Sequence, residues 1–179
     1  MSAVPVLTTA RLRLRTRRID DAEALYPTLS DADLMTWWSR APIGSVEEVR
    51  SYFARHDDAW RCWVITLAGA DTAIGWVAAG EKRQGGVSEL GYLLAREHWG
   101  RGIASEAVSA VIDRLFAEGQ RRVFADTDPD NAPSIALLER LGFQREGLLR
   151  AEWETHIGVR DSLILGLLRD EWRSPRDAR

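Results

Sequence analysis

The sequence predicts a mixed α/β (α+β) fold in which strands are interleaved with helices. Three observations carry this. Short apolar runs alternate with helical patterns in the order β-α-α-β-β-β-α-β-α-β-β, a meander followed by strand–helix–strand crossovers. At 179 residues, with no repeat, linker or low-complexity stretch, the chain suits one domain over 1–179, with its core at about 7–172. A composition of 45% hydrophobic and 28% charged residues is that of an ordinary soluble globular protein, not of a disordered or membrane-embedded one.

The elements follow from local pattern. Leu12 and Leu14 alternate with Arg11, Arg13 and Arg15 at period two, which reads as a first strand; the arginine run Arg15, Arg17 and Arg18 reads as its solvated edge. Asp20-Asp21-Ala22 opens a helix with acids in its first turn. Ser45-Val46-Glu47-Glu48 has capping-box form and starts a second helix running towards His56. Trp63 to Leu67 and Ala73 to Ala79 form a hairpin across Gly69-Ala70-Asp71, and Gly85-Gly86 turns into a strand over Val87 to Leu94. Gly102 to Glu118 is an amphipathic helix whose face carries Ile103, Ala107, Val108, Val111, Ile112 and Leu115, ended by Gly119. Arg122 to Asp126 is a strand, Asn131 to Leu141 a helix closed by Gly142, and Phe143 to Glu146 and Asp161 to Leu167 are the last strands. Ser174 to Arg179 reads as a frayed polar tail.

Composition removes several function classes. A net charge of −3 and a pI near 5.7 give no basic footprint for nucleic acid. No apolar run approaches the roughly 18 residues that span a bilayer, and Met1 to Pro5 lacks the charged and apolar regions of a signal peptide. Cys62 is the single cysteine, so it forms neither an internal disulfide nor a thiolate cluster. This fits a reducing, cytoplasmic setting. His56, His98 and His156 have no metal-site spacing, so no metal is expected.

The segment Leu90 to Ala104 runs strand, loop, helix. Gly100 and Gly102 let backbone amides approach an anion, the helix that follows adds free N–H groups and the positive end of its dipole, and Arg101 adds charge. Such a loop suits a pyrophosphate, although glycines also serve a plain strand–helix turn. It is not a dinucleotide fingerprint, because Ser105 stands where the third glycine belongs, and the chain holds no Walker string.

Four motifs in order resemble the GNAT superfamily of acetyltransferases. Trp99-Gly100-Arg101-Gly102-Ile103-Ala104 resembles its pyrophosphate loop, Q/R-x-x-G-x-G/A: Gly102 and Ala104 match, and Trp99 replaces the polar first residue. Asn131-Ala132-Pro133-Ser134 with Leu141-Gly142-Phe143 resembles the N-x-x-S…L-G-F segment of the branch that acetylates ribosomal-protein N-termini. Leu7 to Arg15 and Asp161 to Trp172 complete the likeness, which spans residues 7 to 172.

The resemblance implies a central mixed, mostly antiparallel sheet of six to seven strands flanked by helices, splayed between its fourth and fifth strands at a bulge, and acetyl-CoA as co-substrate. Coenzyme A is expected along Leu93 and Leu94, with an amide near Leu94 as oxyanion donor. Its phosphates are expected on Trp99, Gly100, Arg101, Gly102, Ile103, Ala104 and Ser105, with Asn131 and Ser134 beside the pantetheine. Asn131 also reads as a helix N-cap. The family's usual tyrosine acid matches Leu138 here, so the resemblance hands the acid role to Ser134, which otherwise lies in the first turn of a helix. Glu89 is the base candidate and Asp161 its rival. An acceptor α-amine of pKa near 8 needs no dedicated base. Trp37 and Trp38 are the acceptor-side candidates, because adjacent tryptophans on a helix do not both face one core; Trp76, Trp99 and Trp153 are others. Cys62 reads as core or rim rather than nucleophile. The function implied is acetyl transfer to a primary amine, on a protein N-terminus or a small molecule, by direct transfer. The alternative is a non-catalytic acyl-CoA-binding domain. The partner is an amine acceptor, with no nucleic acid or membrane, and both a monomer and a homodimer fit.

Overall fold

The structure is a computed structural model in which residues 4–55, 59–82 and 85–174 are described. The chain runs β1 (Leu7–Thr8), β2 (Leu12–Thr16), α1 (Asp21–Leu29), α2 (Ala32–Met35), α3 (Val46–Ala54), β3 (Trp60–Leu67), β4 (Gly75–Glu81), β5 (Val87–Leu94), α4 (Ile103–Ala117), β6 (Arg122–Thr127), α5 (Ala132–Arg140), β7 (Gln144–Thr155) and β8 (Gly158–Leu168). The strands form one sheet in the order β1-β2-β3-β4-β5-β6-β8-β7. Every pairing is antiparallel except β5 with β6.

This is the mixed, mostly antiparallel sheet expected, with eight strands rather than six or seven. The added strand is β1, whose two residues are too few to show a period. His56 and residues 175–179 of the expected polar tail lie outside the described residues.

Alternation sorts the sheet into two faces, since paired residues share a face and neighbours along a strand do not. Leu12, Leu14, Trp63, Ile65, Val77, Ala79, Leu90 and Leu94 face one way and pack with the apolar stripe of α4 and with Ile135 and Leu138 of α5. Cys62, Val64, Trp76 and Leu93 face the other way, onto Leu25 and Leu29 of α1 and Phe53 of α3. The start of α3 is held as its sequence predicts. Ser45 Oγ accepts the Glu48 N–H at 3.2 Å, while Glu48 reaches back to the Gly44 N–H at 3.0 Å rather than to that of Ser45.

Three expectations are corrected. Arg15 is not solvated: it is 3% exposed and bonds Asp21 through both guanidinium nitrogens, at 2.7 and 2.9 Å, and Asp71 through Nε at 2.7 Å. The alternation that places it beside Leu14 also turns it beneath α1, where Asp21 waits. The final hairpin is far longer than Phe143 to Glu146 and Asp161 to Leu167. β7 is exposed along nearly its whole length and carries register shifts at Arg145/Gly147 and Leu149/Trp153, so it shows no period-two burial to read. Trp37 and Trp38 lie on the turn after the four-residue α2, not on a helix.

Candidate active site

The site lies where β5 and β6 part. Their parallel ladder covers only Val87↔Arg122, Ser88↔Val123 and Glu89↔Phe124. β5 continues to Leu94 paired on its β4 side alone, in unbroken register from Glu81↔Ser88 to Gly75↔Leu94. The expected splay is present, therefore, but without a bulge in the β4–β5 ladder. The Ala95 N–H donates to Ile74 O at 2.8 Å, so by alternation the amides of Leu93 and Gly91 also face β4. The amides of Tyr92 and Leu94 face the open edge. Of the two residues expected at that edge, Leu94 turns its N–H to it and Leu93 does not.

A cleft of about 460 Å³ follows this edge to the glycine loop. Leu93, Leu94, Trp99, Gly100, Gly102, Ile103, Ala104, Asn131 and Ser134 line it; Arg101, which is exposed, and Ser105 do not. Arg140, at the end of α5, lines it too and was not foreseen. Gly100 and Gly102 have φ of 68° and 72°, the left-handed region that glycine enters at little cost. A Cβ on Gly100 would meet nothing within 4 Å. The loop thus fits a pyrophosphate: open space, free first-turn amides of α4 and a helix of 15 residues behind them. Glu106, an acid in that first turn, is neutralised. Burial opposes its charge, but the bonds from Thr9 and Arg11 hold its carboxyl below the usual range. Arg11 pairs with Glu106 at 2.6 Å and with Arg101 O at 2.9 Å, strapping the loop to the strand edge. Trp99 Nε1 donates to Leu94 O at 2.7 Å and stacks under the Arg96 guanidinium 5.0 Å away.

A second cleft of about 770 Å³ opens on the α1–α3 side of the sheet. Glu89, Asp161, Trp76 and Trp153 line it. Trp37, Trp38, Tyr92, Asn131 and Ser134 line both clefts and mark their junction. Trp38 meets Trp76 edge to face at 5.9 Å, and Trp37 is the more exposed of the pair. Glu89 sits on β5 facing this cleft. Burial raises its carboxyl above the usual range; Lys82 Nζ, 3.5 Å away, opposes that and the charge of Asp126 adds to it. Asp161 accepts the Ala151 N–H at 2.8 Å, and Ala151 has φ of 53° in the irregular part of β7. Asp161 therefore holds the bent strand as well as lining the cleft. Cys62 is buried in the floor, where desolvation pushes its thiol up to about 11. A thiol so held is a poor nucleophile.

Asn131 caps α5, its Oδ1 accepting the Ser134 N–H at 3.3 Å. Ser134 Oγ is 2.8 Å from the Tyr92 hydroxyl, whose pKa burial raises. Leu138 is fully buried in the core. Tyr92 was not among the residues read from the sequence. It follows Gly91 on β5, and the period that makes it face α5 needs β5's face assignment first.

With this geometry in hand, likeness to known proteins is informative. Residues 11–144 match the model of the acetyltransferase (GNAT) domain.

The chain belongs to the GNAT acetyltransferase family.

It is 34% identical over 173 residues to the uncharacterised N-acetyltransferase p20 of Bacillus licheniformis, covering 93% of this chain and 97% of that one. Among solved structures, a GNAT-family acetyltransferase from Bacillus anthracis superposes with a TM-score of 0.85 at 24% identity. That match covers 93% of this chain and all of the other, a likeness of fold. RimJ of Mycobacterium smegmatis, solved in complex with CoA-disulfide, superposes with a TM-score of 0.79 at 27% identity, over 94% of this chain and 88% of that one. No helix among the described residues is long and apolar enough to cross a membrane, and no cluster of His, Cys, Asp or Glu among them suits a metal ion.

Proposed function

We propose that this protein transfers the acetyl group of acetyl-CoA directly to a primary amine, on a protein N-terminus or a small molecule. The observation that carries the reading is the junction of two clefts at Tyr92, Asn131 and Ser134, one fitted to a phosphate-bearing chain and the other wide enough for an acceptor. When bound, acetyl-CoA supplies an activated thioester. The Leu94 N–H, on the open edge of β5, is the donor for the charge that develops on the acetyl oxygen; such a donor is worth roughly 10²–10³ in rate. Glu89 accepts the amine's proton, through water, as the C–N bond forms. A carboxyl raised by burial is a better base than an ordinary one, and the pair with Lys82 keeps it ionised.

The C–S bond breaks as Ser134 Oγ passes its proton to the departing sulfur. The serine takes one back through cleft water, which carries the proton released by the amine to Glu89, so that the proton lost by nitrogen ends on the thiol. Tyr92 OH and Ser134 Oγ lie 2.8 Å apart; with the tyrosine as donor, the serine hydrogen is left free to point into the cleft. Holding both reactants at this junction supplies roughly 7–11 kcal/mol of barrier reduction by itself.

Steady-state kinetics of Ser134→Ala and Tyr92→Phe test the assignment. Each variant is expected to lower kcat, Ser134→Ala by about a hundredfold, with little change in acetyl-CoA affinity. The double variant is expected to lose little beyond the larger single loss, because the two hydroxyls act as one unit. An unchanged kcat in Ser134→Ala removes the serine as acid.

A further inference from the structure

The larger cleft has two differently charged ends, and they differ in what is already spoken for. On the β6–β8 side each acid has a hydrogen-bond donor, but only Asp128 is balanced by a cation. Asp128 is bound by Arg160 at 2.7 Å, Asp126 by the Ser162 hydroxyl and the Trp153 indole, and Asp161 by the Ala151 amide. Glu89 is paired with Lys82. At the β2 end stands Arg17. Its guanidinium lies 4.5 Å from the Phe53 ring centre and 5.5 Å from that of Tyr52, its Nε is buried with no hydrogen-bond partner, and among the described residues it makes no ion pair. Arg40 sits 4.4 Å from the Tyr52 ring with its Nε likewise without a partner, adding positive charge at that end. Stacking engages the face of a guanidinium and leaves its in-plane donors free, and those donors match a carboxylate or phosphate. The cleft is bipolar: at one end Asp126 and Asp161 line it with no ion pair among the described residues, and at the other Arg17 carries the opposite charge.

Register gives the scale. Thr16 is opposite Trp63, so the next residue, Arg17, falls on the row of Cys62, Ala78 and Gly91, all on the face that bears Glu89. That row crosses three strand spacings, about 14 Å between the backbones of Arg17 and Gly91. Part of that span is taken up by the arginine side chain, and the rest is the ligand's.

Resting on the acetyltransferase reading above, we infer that the acceptor is an amine that also carries an anionic group, and that Arg17 binds that group. The two groups are separated by several bonds, as in an ω-amino acid or a short acidic peptide, and not borne on one carbon. A polyamine reaching from the acidic end would bring its far ammonium to Arg17 rather than to an acid.

The test compares ω-aminohexanoate with its methyl ester and with spermidine as acceptors, following CoA release in the native protein, Arg17→Gln and Arg17→Lys. Calorimetry of ω-aminohexanoate against the CoA-saturated protein provides a readout that needs no turnover, and thermal melts check that each variant folds. The acid is expected to exceed the ester in kcat/KM by about tenfold or more, the worth of a charge-assisted hydrogen bond, chiefly through KM. Arg17→Gln is expected to collapse that ratio with acetyl-CoA affinity retained, and Arg17→Lys to recover part of it. Preference for the ester or for spermidine, or a ratio that survives Arg17→Gln, overturns the inference and leaves the transferase reading standing. If no amine releases CoA, the transferase reading falls. The anion site is then judged by calorimetry: binding lost in Arg17→Gln supports it, and absence of binding to the native protein overturns it.

Discussion

Glu89 shows how a single carboxylate is tuned by its neighbours. Burial, with the nearby charge of Asp126, raises its pKa, and Lys82 pulls it back. The base must be ionised, so activity is expected to rise with pH along an acidic limb above the ordinary glutamate value of about 4.3. Glu89→Gln is expected to abolish that limb and lower kcat by about a hundredfold. Lys82→Met is expected to move the limb to higher pH, because the opposing cation is gone. A pH–rate profile of each variant checks this; a limb that persists in Glu89→Gln hands the role of base to another group. Asn131 was legible as a helix cap from the strand–helix pattern, while Glu89 and Ser134 entered only through the family resemblance. Tyr92 and Arg17 were not legible. Tyr92 earns its place through a contact with Ser134, 42 positions away, and Arg17 through rings on α3 that only the folded sheet brings above it.

At the scale of elements, β5 does two jobs with its two faces. Tyr92 faces α5 and Glu89 faces α1–α3, and the gap left by β6 connects them. Gly91, between them, faces the acceptor cleft, where an added Cβ would meet nothing within 4 Å, and its φ lies outside the left-handed region. A side chain there is not strained and removes the excess freedom of a strand glycine in the unfolded chain, a gain of about 0.5–1 kcal/mol. Gly91→Leu is therefore expected to melt no lower than the native protein and to bind acetyl-CoA normally, while KM for the acceptor rises by about tenfold or more as the cleft fills. An unchanged KM places the acceptor elsewhere. The order of elements was legible because the meander strands are short apolar runs set off by turn glycines and α4 carries a clean period of 3.6. The β7–β8 hairpin was not. An edge strand bearing Leu148, Leu149 and Trp153 in the open and bending at Ala151 has no buried face to impose a pattern.

At the scale of the molecule, one buried ion pair ties the acceptor half together. Arg15 joins β2 to Asp21 at the start of α1 and to Asp71 in the β3–β4 connection. Arg15→Met leaves the Asp21 carboxylate buried without its partner, a loss of about 3–5 kcal/mol, which lowers Tm by about 10 °C in a domain of this size. A thermal melt checks it, and Arg15→Met with Asp21→Leu is expected to recover much of the loss, because no charge is then left unpaired. The whole is an open-edged sheet with the glycine-loop cleft on one side and the larger, Glu89-lined cleft on the other, meeting at Ser134. The claim that this junction performs transfer is tested most directly by CoA release from acetyl-CoA over a panel of amines and N-terminal peptides. Gly102→Glu serves as the control that fills the glycine-loop cleft with bulk and negative charge. The account predicts acceptor-dependent release by the native protein and neither acetyl-CoA binding nor release in Gly102→Glu. Tight acetyl-CoA binding by the native protein with no release on any acceptor would contradict it.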